Sequence, residues 1–169
     1  MGFGLPASIG AQVAFPDHLV IDVDGDGSMR MNLGELETAT TYNLPIKILV
    51  LNNLGDGMVR QWQRLFFGNR FSGSDKSLRL KDFVKTAEAD GFGFAARLSE
   101  KALVKETLEK FLEFRGPAFL EVMIDPEACV YPMVGPGLGY KEMVTGDFIA
   151  GRSPAEQNIE INPKPIDSF

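Results

Sequence analysis

Two stretches decide the fold of this chain: His18-Leu-Val-Ile-Asp-Val-Asp-Gly-Asp-Gly-Ser28 and Ile46-Lys-Ile-Leu-Val-Leu-Asn-Asn-Leu-Gly-Asp-Gly57. Each opens with an apolar run that suits a buried strand and closes with glycines and polar residues. Between them, residues 32–42 have the pattern of a helix, with Asn32 as its N-cap and Glu35 in the position of a capping-box acid. Strand, helix and strand in this order predict two parallel strands joined by a right-handed crossover.

Helices and strands continue to alternate along the remaining chain. Because parallel strands need crossover connections, this alternation predicts an α/β fold with a mostly parallel sheet and helices on both faces. We place one domain at residues 1–150 and a Pro-containing tail at 151–169, which either lies over a surface or is partly disordered. Further helices are predicted at 7–14, 57–67, 80–89 and 99–114, further strands at 93–97 and 118–124, and a Ser- and Gly-rich loop at 71–77.

Composition argues against several classes of function. The 169 residues carry a net charge of -6 with acids and bases interspersed, so no nucleic-acid partner is expected. No apolar run approaches the roughly 20 residues that span a bilayer, and the first residues lack the pattern of an export signal, so no membrane contact is expected. The lone Cys129 and the lone His18 belong to no zinc-like cluster. We therefore expect a reducing compartment, either the cytoplasm or, in a eukaryote, an organellar stroma or matrix.

The polar residues that follow the two predicted strands are the candidates for chemistry. In a parallel sheet the carboxyl ends of both strands lie at one edge, where ligands of open α/β sheets bind. Asp26 offers a carboxylate between glycines and Asn53 offers a carboxamide, and both are hard oxygen ligands for a magnesium-like ion. The glycines and the helix starts after both loops suit a phosphate. Since Asp26 would repel a diphosphate, a divalent cation has to lie between them.

Each motif alone has a simpler interpretation. Asp24-Gly-Asp-Gly27 is commonly a turn and is similar to calcium-binding loops, although no bidentate glutamate follows at a calcium-loop spacing. Asn52-Asn-Leu-Gly55 alone is also more often a turn. The position of both motifs after buried-looking strands, with a helix between them, favours a shared ligand site.

The pair of motifs resembles the diphosphate-binding motif of thiamine diphosphate enzymes, which opens with Gly-Asp-Gly and closes with Asn-Asn at this spacing. The resemblance implies thiamine diphosphate and a magnesium ion (Mg2+) as cofactors. Asp26 and Asn53 would bind the ion through their side chains and Gly55 through its carbonyl oxygen, while phosphate oxygens and water complete the coordination. The residues expected against the cofactor are Gly25, Gly27, Ser28 and Gly57.

Longer stretches resemble one branch of that family, the acetolactate synthases. The similarity covers residues 1 to about 145 and is most specific where a Gly-Met-Val-Arg-Gln-Trp-Gln segment follows the Asn-Asn pair. The departures, at Met29 and at residues 54–56, remove no ligand. The matching stretches are Met1-Gly-Phe-Gly-Leu-Pro-Ala-Ser-Ile-Gly-Ala11, Gly57-Met-Val-Arg-Gln-Trp-Gln-Arg-Leu-Phe-Phe67 and Val130-Tyr-Pro-Met-Val134.

The same resemblance implies roles for three apolar residues. Met1 would support the cofactor from beneath, Met58 would contact its pyrimidine end, and Trp62 would shape the acceptor pocket. By helical spacing alone, Met58 and Trp62 would be ordinary core residues, since they lie one turn apart on one face. The motif beside them favours the functional interpretation. Arg60 and Gln63 receive no role, because polar residues there could face solvent.

The activity implied is carboligation, in which two pyruvates, or pyruvate and 2-oxobutyrate, condense with loss of carbon dioxide in branched-chain amino acid biosynthesis. The resemblance places no catalytic residue in this chain, because the activating glutamate comes from a pyrimidine-binding domain, usually of a neighbouring subunit in a homo-oligomer. The full enzyme is expected to carry FAD and can have a regulatory subunit. The chain would be a fragment or one part of a split enzyme, inactive alone. The alternatives are the cofactor-binding subunit of a split 2-oxo acid decarboxylase and a non-catalytic assembly module.

Overall fold

The computed structural model describes residues 1–145, so the predicted tail and the boundary at residue 150 lie outside the described residues. Helices and strands alternate as the sequence predicts, and two short 3-10 helices, Lys101–Leu103 and Tyr140–Glu142, accompany them. In chain order the main elements are α1 (Gly4–Ala14), β1 (Ile21–Gly25), α2 (Asp26–Met29), α3 (Glu35–Thr41), β2 (Lys47–Asn52), α4 (Gly57–Phe66), α5 (Phe83–Ala89), β3 (Phe94–Leu98), α6 (Val104–Glu113) and β4 (Ala118–Met123).

The four strands form one sheet in the order β1-β2-β4-β3, and all neighbouring pairs are parallel. The predicted crossover from β1 to β2 is therefore present, with α2 and α3 in the connection. Gly25, the last residue of β1, pairs with Leu51 near the end of β2. The segments that follow the two strands, α2 after β1 and a loop after β2, consequently leave the sheet side by side, which is the arrangement that the proposed ligand site requires.

Helices cover both faces of the sheet, as predicted. Alternate residues of a strand point to opposite faces, so Phe119 and Leu120 of β4 enter different cores. The first core joins α1, α3 and α5 to the sheet and contains Leu5, Leu36, Ala39, Ile48, Val50, Phe83, Ala87 and Phe119. The second core is smaller and is centred on Phe111 of α6. On β1, Ile21 and Val23 stay 43% and 62% exposed, which leaves an apolar surface on that strand.

The predicted capping box at Asn32 is wrong. The helix begins at Glu35 with Gly34 at its N-cap position, and no side chain caps it. The Asn32 amide instead donates to the carbonyl oxygen of Gly2, a partner 30 residues away in the chain. A tertiary contact has therefore replaced the local hydrogen bond that the Asn-x-x-Glu spacing suggests.

The other predicted elements exist with shifted ends. The helix predicted from residue 80 begins at Phe83, because Asp82 acts as its N-cap and accepts a hydrogen bond of 3.2 Å from the backbone N–H of Lys85. The helix predicted at 99–114 begins with the 3-10 turn and becomes α6 only at Val104. Among residues 1–145, no helix is long and apolar enough to cross a membrane.

Candidate cofactor site

A cleft of about 220 Å³ lies where β1 and β2 end. Its walls come from the end of β1, from α2, from the end of β2 and the β2–α4 loop, from the start of α4 and from the chain start. The structure brings together here every predicted site residue except Trp62. The lining residues are Met1, Gly25, Asp26, Gly27, Ser28, Leu51, Asn53, Gly55, Asp56, Gly57, Met58 and Val59.

Asp26 is the chemically most demanding group in the cleft. The residue is 1% exposed, and among residues 1–145 neither carboxylate oxygen has a hydrogen-bond partner of acceptable geometry. Burial raises the pKa of the Asp26 carboxyl above its ordinary value, and the nearby backbone N–H groups of Asn53 and Gly55 and the charge of Arg30 offset only part of that effect. A buried carboxylate without a partner is unfavourable. A bound cation would remove that cost, so this group fits a metal ligand.

The two asparagines of the β2–α4 loop have different positions. Asn52 is buried; its side-chain oxygen accepts from the N–H of Leu54 at 2.8 Å, and its amide donates to Glu121 at 2.7 Å. Asn52 therefore holds the loop to the sheet. Asn53 lines the cleft and lies against Gly57, where a β-carbon would collide with its amide nitrogen. The fold thus leaves Asn53, not Asn52, to face a ligand.

A metal ion in this cleft cannot depend on acidic side chains alone. No cluster of three His, Cys, Asp or Glu side chains within residues 1–145 could hold one. Asp26 and Asn53 line the same cleft as Gly55, so one carboxylate, one carboxamide and one backbone carbonyl are available. Magnesium commonly combines one or two protein oxygens with phosphate oxygens and water. The donor set therefore fits a magnesium ion that arrives with a diphosphate.

The chain start is clamped over α2. The backbone N–H of Gly2 donates to the Ser28 hydroxyl at 2.8 Å, and the Asn32 amide donates to the Gly2 carbonyl oxygen. Gly2 has a φ of 77°, a conformation that favours glycine. These contacts hold Met1 at the cleft, where its side chain remains 67% exposed. The apolar support expected of Met1 is sterically available.

Met58 and Trp62 have different positions relative to the cleft. Met58 lines the cleft and is 47% exposed, so it is not an ordinary core residue. Trp62, one turn later, lies outside the cleft lining and packs edge-to-face on Phe66, with ring centroids 5.1 Å apart. Its role in an acceptor pocket stays a prediction.

The polar residues of α4 do not simply face solvent. Arg60 and Gln61 are 8% and 3% exposed. The Gln61 amide group donates to the Val130 carbonyl oxygen at 2.9 Å and accepts from the Val130 N–H at 2.7 Å. The Arg60 guanidinium lies over the ring of Phe71 and 3.2 Å from Glu127. These contacts tie α4 to the segment after β4 and to the 71–77 loop, so their role is structural.

Asp56, which lines the cleft, pairs with Lys76, and the sequence does not predict this pair. The ammonium of Lys76 lies 3.2 Å from the Asp56 carboxylate. Two backbone hydrogen bonds bring their segments together, from the Asp56 N–H to Ser74 at 2.9 Å and from the Lys76 N–H to Leu54 at 2.8 Å. The spacing of two residues in separate loops leaves no periodic signal, so only the structure could find this pair.

A larger cavity, about 330 Å³, lies at the ends of β2, β3 and β4. Its buried acid, Glu121, is already paired with the guanidinium of Arg97 at 2.6 Å and with the amide of Asn52 at 2.7 Å. Arg97 also contacts Asp82 at 3.0 Å. Glu121, Arg97 and Asp82 thus satisfy one another and, with Asn52, link three strands, whereas the carboxylate of Asp26 has no hydrogen-bond partner among residues 1–145. The smaller cleft is the better ligand site.

The fold and this cleft define an α/β domain that can hold a metal-bound diphosphate at one edge of a parallel sheet. Residues 1–122 match the family model described as the thiamine pyrophosphate enzyme C-terminal TPP binding domain, where thiamine pyrophosphate is another name for thiamine diphosphate. The chain therefore belongs to the thiamine pyrophosphate enzyme family, and it carries the C-terminal cofactor-binding domain.

The relatives narrow the branch of that family. A mitochondrial acetolactate synthase catalytic subunit from Saccharomyces cerevisiae is 46% identical over 156 residues, or 92% of this chain and 22% of the relative. Its counterpart from Aspergillus candidus is 45% identical over 85% of this chain and 20% of the relative. An acetolactate synthase large subunit from Porphyra purpurea is 44% identical over 85% of this chain and 24% of the relative. The chain thus spans only about a fifth to a quarter of these relatives.

A solved structure agrees with the fold. The thiamine diphosphate-dependent 4-hydroxybenzoylformate decarboxylase of Rhodococcus jostii matches with a TM-score of 0.64 and 32% identity. The match covers 74% of this chain and 23% of the decarboxylase. The predicted α/β fold and the predicted thiamine diphosphate family are both confirmed.

Proposed function

We propose that this chain is the diphosphate- and magnesium-binding part of an acetolactate synthase. The complete enzyme would condense two pyruvates, or pyruvate and 2-oxobutyrate, with loss of carbon dioxide in branched-chain amino acid biosynthesis. The observation that carries the proposal is the buried, unpartnered carboxylate of Asp26, which shares one cleft with Asn53 and Gly55. The identity of 44–46% to acetolactate synthases supports the choice of branch.

In this proposal the residues of the cleft have distinct tasks. Asp26, the Asn53 side chain and the Gly55 carbonyl hold the magnesium ion, which reverses the local charge so that a diphosphate can bind beside an acid. Gly25, Gly27, Ser28 and Gly57 accommodate the phosphates. Met1 and Met58 offer exposed apolar surface to the organic part of the cofactor. Bound thiamine diphosphate would supply the nucleophilic carbon and the electron sink, which the protein positions.

The site needs a partner to become active. No glutamate lines the cleft in the described part of the chain, so the activating glutamate would come from a pyrimidine-binding domain of the same or a neighbouring subunit. The exposed apolar surface of Ile21 and Val23 supports such a partner, because large apolar groups in water favour association. We expect a homo-oligomer with FAD and, in some systems, a regulatory subunit. The chain alone should not turn over pyruvate, and we place it in the cytoplasm or in an organellar stroma or matrix.

Titration calorimetry tests the binding step. The chain should bind thiamine diphosphate only when magnesium is present, and Asp26→Ala should abolish that binding. Asp17→Ala is the matched control, because Asp17 is an exposed acid outside the cleft. Unchanged affinity in Asp26→Ala would refute the metal site, and no binding by the unaltered chain would favour a non-catalytic assembly module.

A decarboxylase is the second candidate, because the Rhodococcus jostii relative has that activity and 32% identity to this chain. Product analysis separates the two proposals. The chain is combined with a pyrimidine-domain partner, supplied with pyruvate, and its products are analysed. Acetolactate would support carboligation, whereas acetaldehyde alone would support decarboxylation.

A further inference from the structure

The Asp56 side chain has an unexpected position for a residue that precedes a helix. Asp56 is the N-cap of α4, where an aspartate ordinarily accepts a hydrogen bond from the first N–H groups of its helix. Here the side chain makes no such hydrogen bond. It is turned toward Gly27 of α2, where a β-carbon would collide with Asp56 Oδ1. The carboxylate therefore lies against a glycine that a phosphate would approach.

This position creates an excess of negative charge in the cleft. Within residues 1–145, Asp26 and Asp56 are the charged side chains that line the cleft, and both are acids. The charge of Asp26 would be neutralised by the magnesium ion that it is proposed to bind. Asp56 lies against Gly27, which the proposed function places beside the diphosphate, and a free carboxylate there would repel a diphosphate. Something has to neutralise Asp56 if the cleft is to bind the cofactor well.

Lys76 is placed to neutralise it. Its ammonium lies 3.2 Å from Asp56 Oδ2 and donates to the Gly73 carbonyl oxygen at 2.7 Å. The Lys76 and Asp56 side chains are 28% and 18% exposed, so solvent screens this pair less than it screens a surface pair. The backbone of residues 74–76 is fixed to that of residues 54–56 by an antiparallel bridge between Gly55 and Asp75. The ammonium is thus held in place by the fold.

We propose that Lys76 is a positioning residue for diphosphate binding, which neutralises the Asp56 carboxylate so that the phosphates meet a neutral pair in place of a free anion. The inference rests on the proposed function, since it concerns the same cleft. Lys76 acts through Asp56 and does not need to touch the cofactor. Loss of the ammonium therefore matters only while the Asp56 carboxylate is present.

A double-mutant cycle tests this dependence by calorimetric titration of thiamine diphosphate into the 169-residue chain at saturating magnesium. Lys76→Met should weaken binding about five- to tenfold, the range expected for a partly screened charge. Lys76→Arg should keep near-normal affinity, since it restores the charge. Asp56→Asn should bind at least as tightly as the unaltered chain, and the Asp56→Asn/Lys76→Met double variant should match Asp56→Asn.

Lys110→Met is the matched control, because Lys110 forms a similar pair with Glu106 at 2.6 Å on the surface of α6. This variant should bind thiamine diphosphate with the affinity of the unaltered chain. Thermal melts check that each variant is folded. The two backbone hydrogen bonds that join residues 54–56 to residues 74–76 use atoms that the substitutions retain.

Normal affinity in Lys76→Met overturns the inference. It is also overturned if the loss persists in the double variant, because Lys76 would then contact the phosphates itself. If the unaltered chain does not bind thiamine diphosphate, both the inference and the proposed function fail. If the unaltered chain binds and Asp26→Ala binds equally well, only the metal site is wrong.

Discussion

The Asn53 amide occupies the space into which a β-carbon of residue 57 would project, so Asn53 can keep its position only because residue 57 is glycine. Gly57 is also the first residue of α4. This contact couples the start of a helix to a proposed metal ligand. It allows the metal site to be tested by a substitution that leaves every ligand in place.

Gly57→Ala should weaken magnesium-dependent thiamine diphosphate binding by roughly tenfold or more, because the new methyl group displaces Asn53. The fold should survive, since the new methyl group would meet only side-chain atoms of Asn53 and no backbone atom. Gly10→Ala is the control, because Gly10 lies in α1 with no atom near its would-be β-carbon. Gly10→Ala should stabilise the chain without changing its affinity for thiamine diphosphate. Calorimetry and thermal melts measure both quantities, and normal binding by Gly57→Ala would contradict the assignment of Asn53.

Asp26→Asn should separate stability from binding. In the metal-free chain, the raised pKa of Asp26 means that folding penalises its charged form. Removing the charge with nearly the same shape should therefore stabilise the metal-free chain at neutral pH. The stabilisation by magnesium and thiamine diphosphate, worth about 2.7 kcal/mol at a hundredfold excess over Kd in the unaltered chain, should disappear. Urea unfolding with and without both ligands measures this, and a destabilised metal-free Asp26→Asn would refute the argument.

The sequence predicts the parts of this site that depend on periodicity and topology. Apolar runs place β1 and β2, and parallel pairing of Gly25 beside Leu51 then brings Asp26 and Asn53 together without further information. Contacts between loops follow no period, which explains why the pairing of Asp56 with Lys76 was missed and why Asn32 was assigned to a cap.

Asp22 is an intermediate case. Its alternation with Ile21 and Val23 places the carboxylate and the two apolar side chains on opposite faces of β1. The apolar run of residues 18–24 predicts a buried strand, and for Ile21 and Val23 of the described chain this prediction is wrong. In the structure Asp22 is 5% exposed and lies against Gly4 of α1, whereas both apolar neighbours are exposed. Asp22 is therefore buried because α1 packs against its face of β1.

Burial of Asp22 should make stability depend on pH. Burial, with a smaller contribution from Asp24, raises the pKa of Asp22 to about 6 from its ordinary 3.8. Between these values the folded chain holds a proton that the unfolded chain releases, so stability falls as pH rises through this window. The loss reaches at most about 3 kcal/mol above pH 6. Unfolding at about pH 5 and about pH 7.5 should show greater stability at the lower pH.

Asp22→Asn tests the source of this pH dependence. The variant should be more stable than the unaltered chain at neutral pH, and its stability should depend much less on pH. The remaining pH dependence should have the same direction, because the pKa of Asp26 is also raised. Asp17→Asn, at an exposed position, should change neither property. A pH slope that is unaffected by Asp22→Asn would show that another group titrates.

The same substitution should destabilise the chain much more at Asn52 than at the adjacent Asn53. Asn52→Asp would place a second buried carboxylate beside Glu121, whose oxygen now accepts from Asn52 at 2.7 Å, and should destabilise the chain by about 2 to 4 kcal/mol at neutral pH and less in acid. Asn53→Asp faces the cleft, so it should cost less than about 1 kcal/mol and retain magnesium binding, since a carboxylate replaces one oxygen ligand with another. Urea unfolding without metal and calorimetric titration with magnesium measure the two effects. Equal destabilisation of both variants would mean that Asn53, like Asn52, belongs to the framework of the loop and not to the metal site.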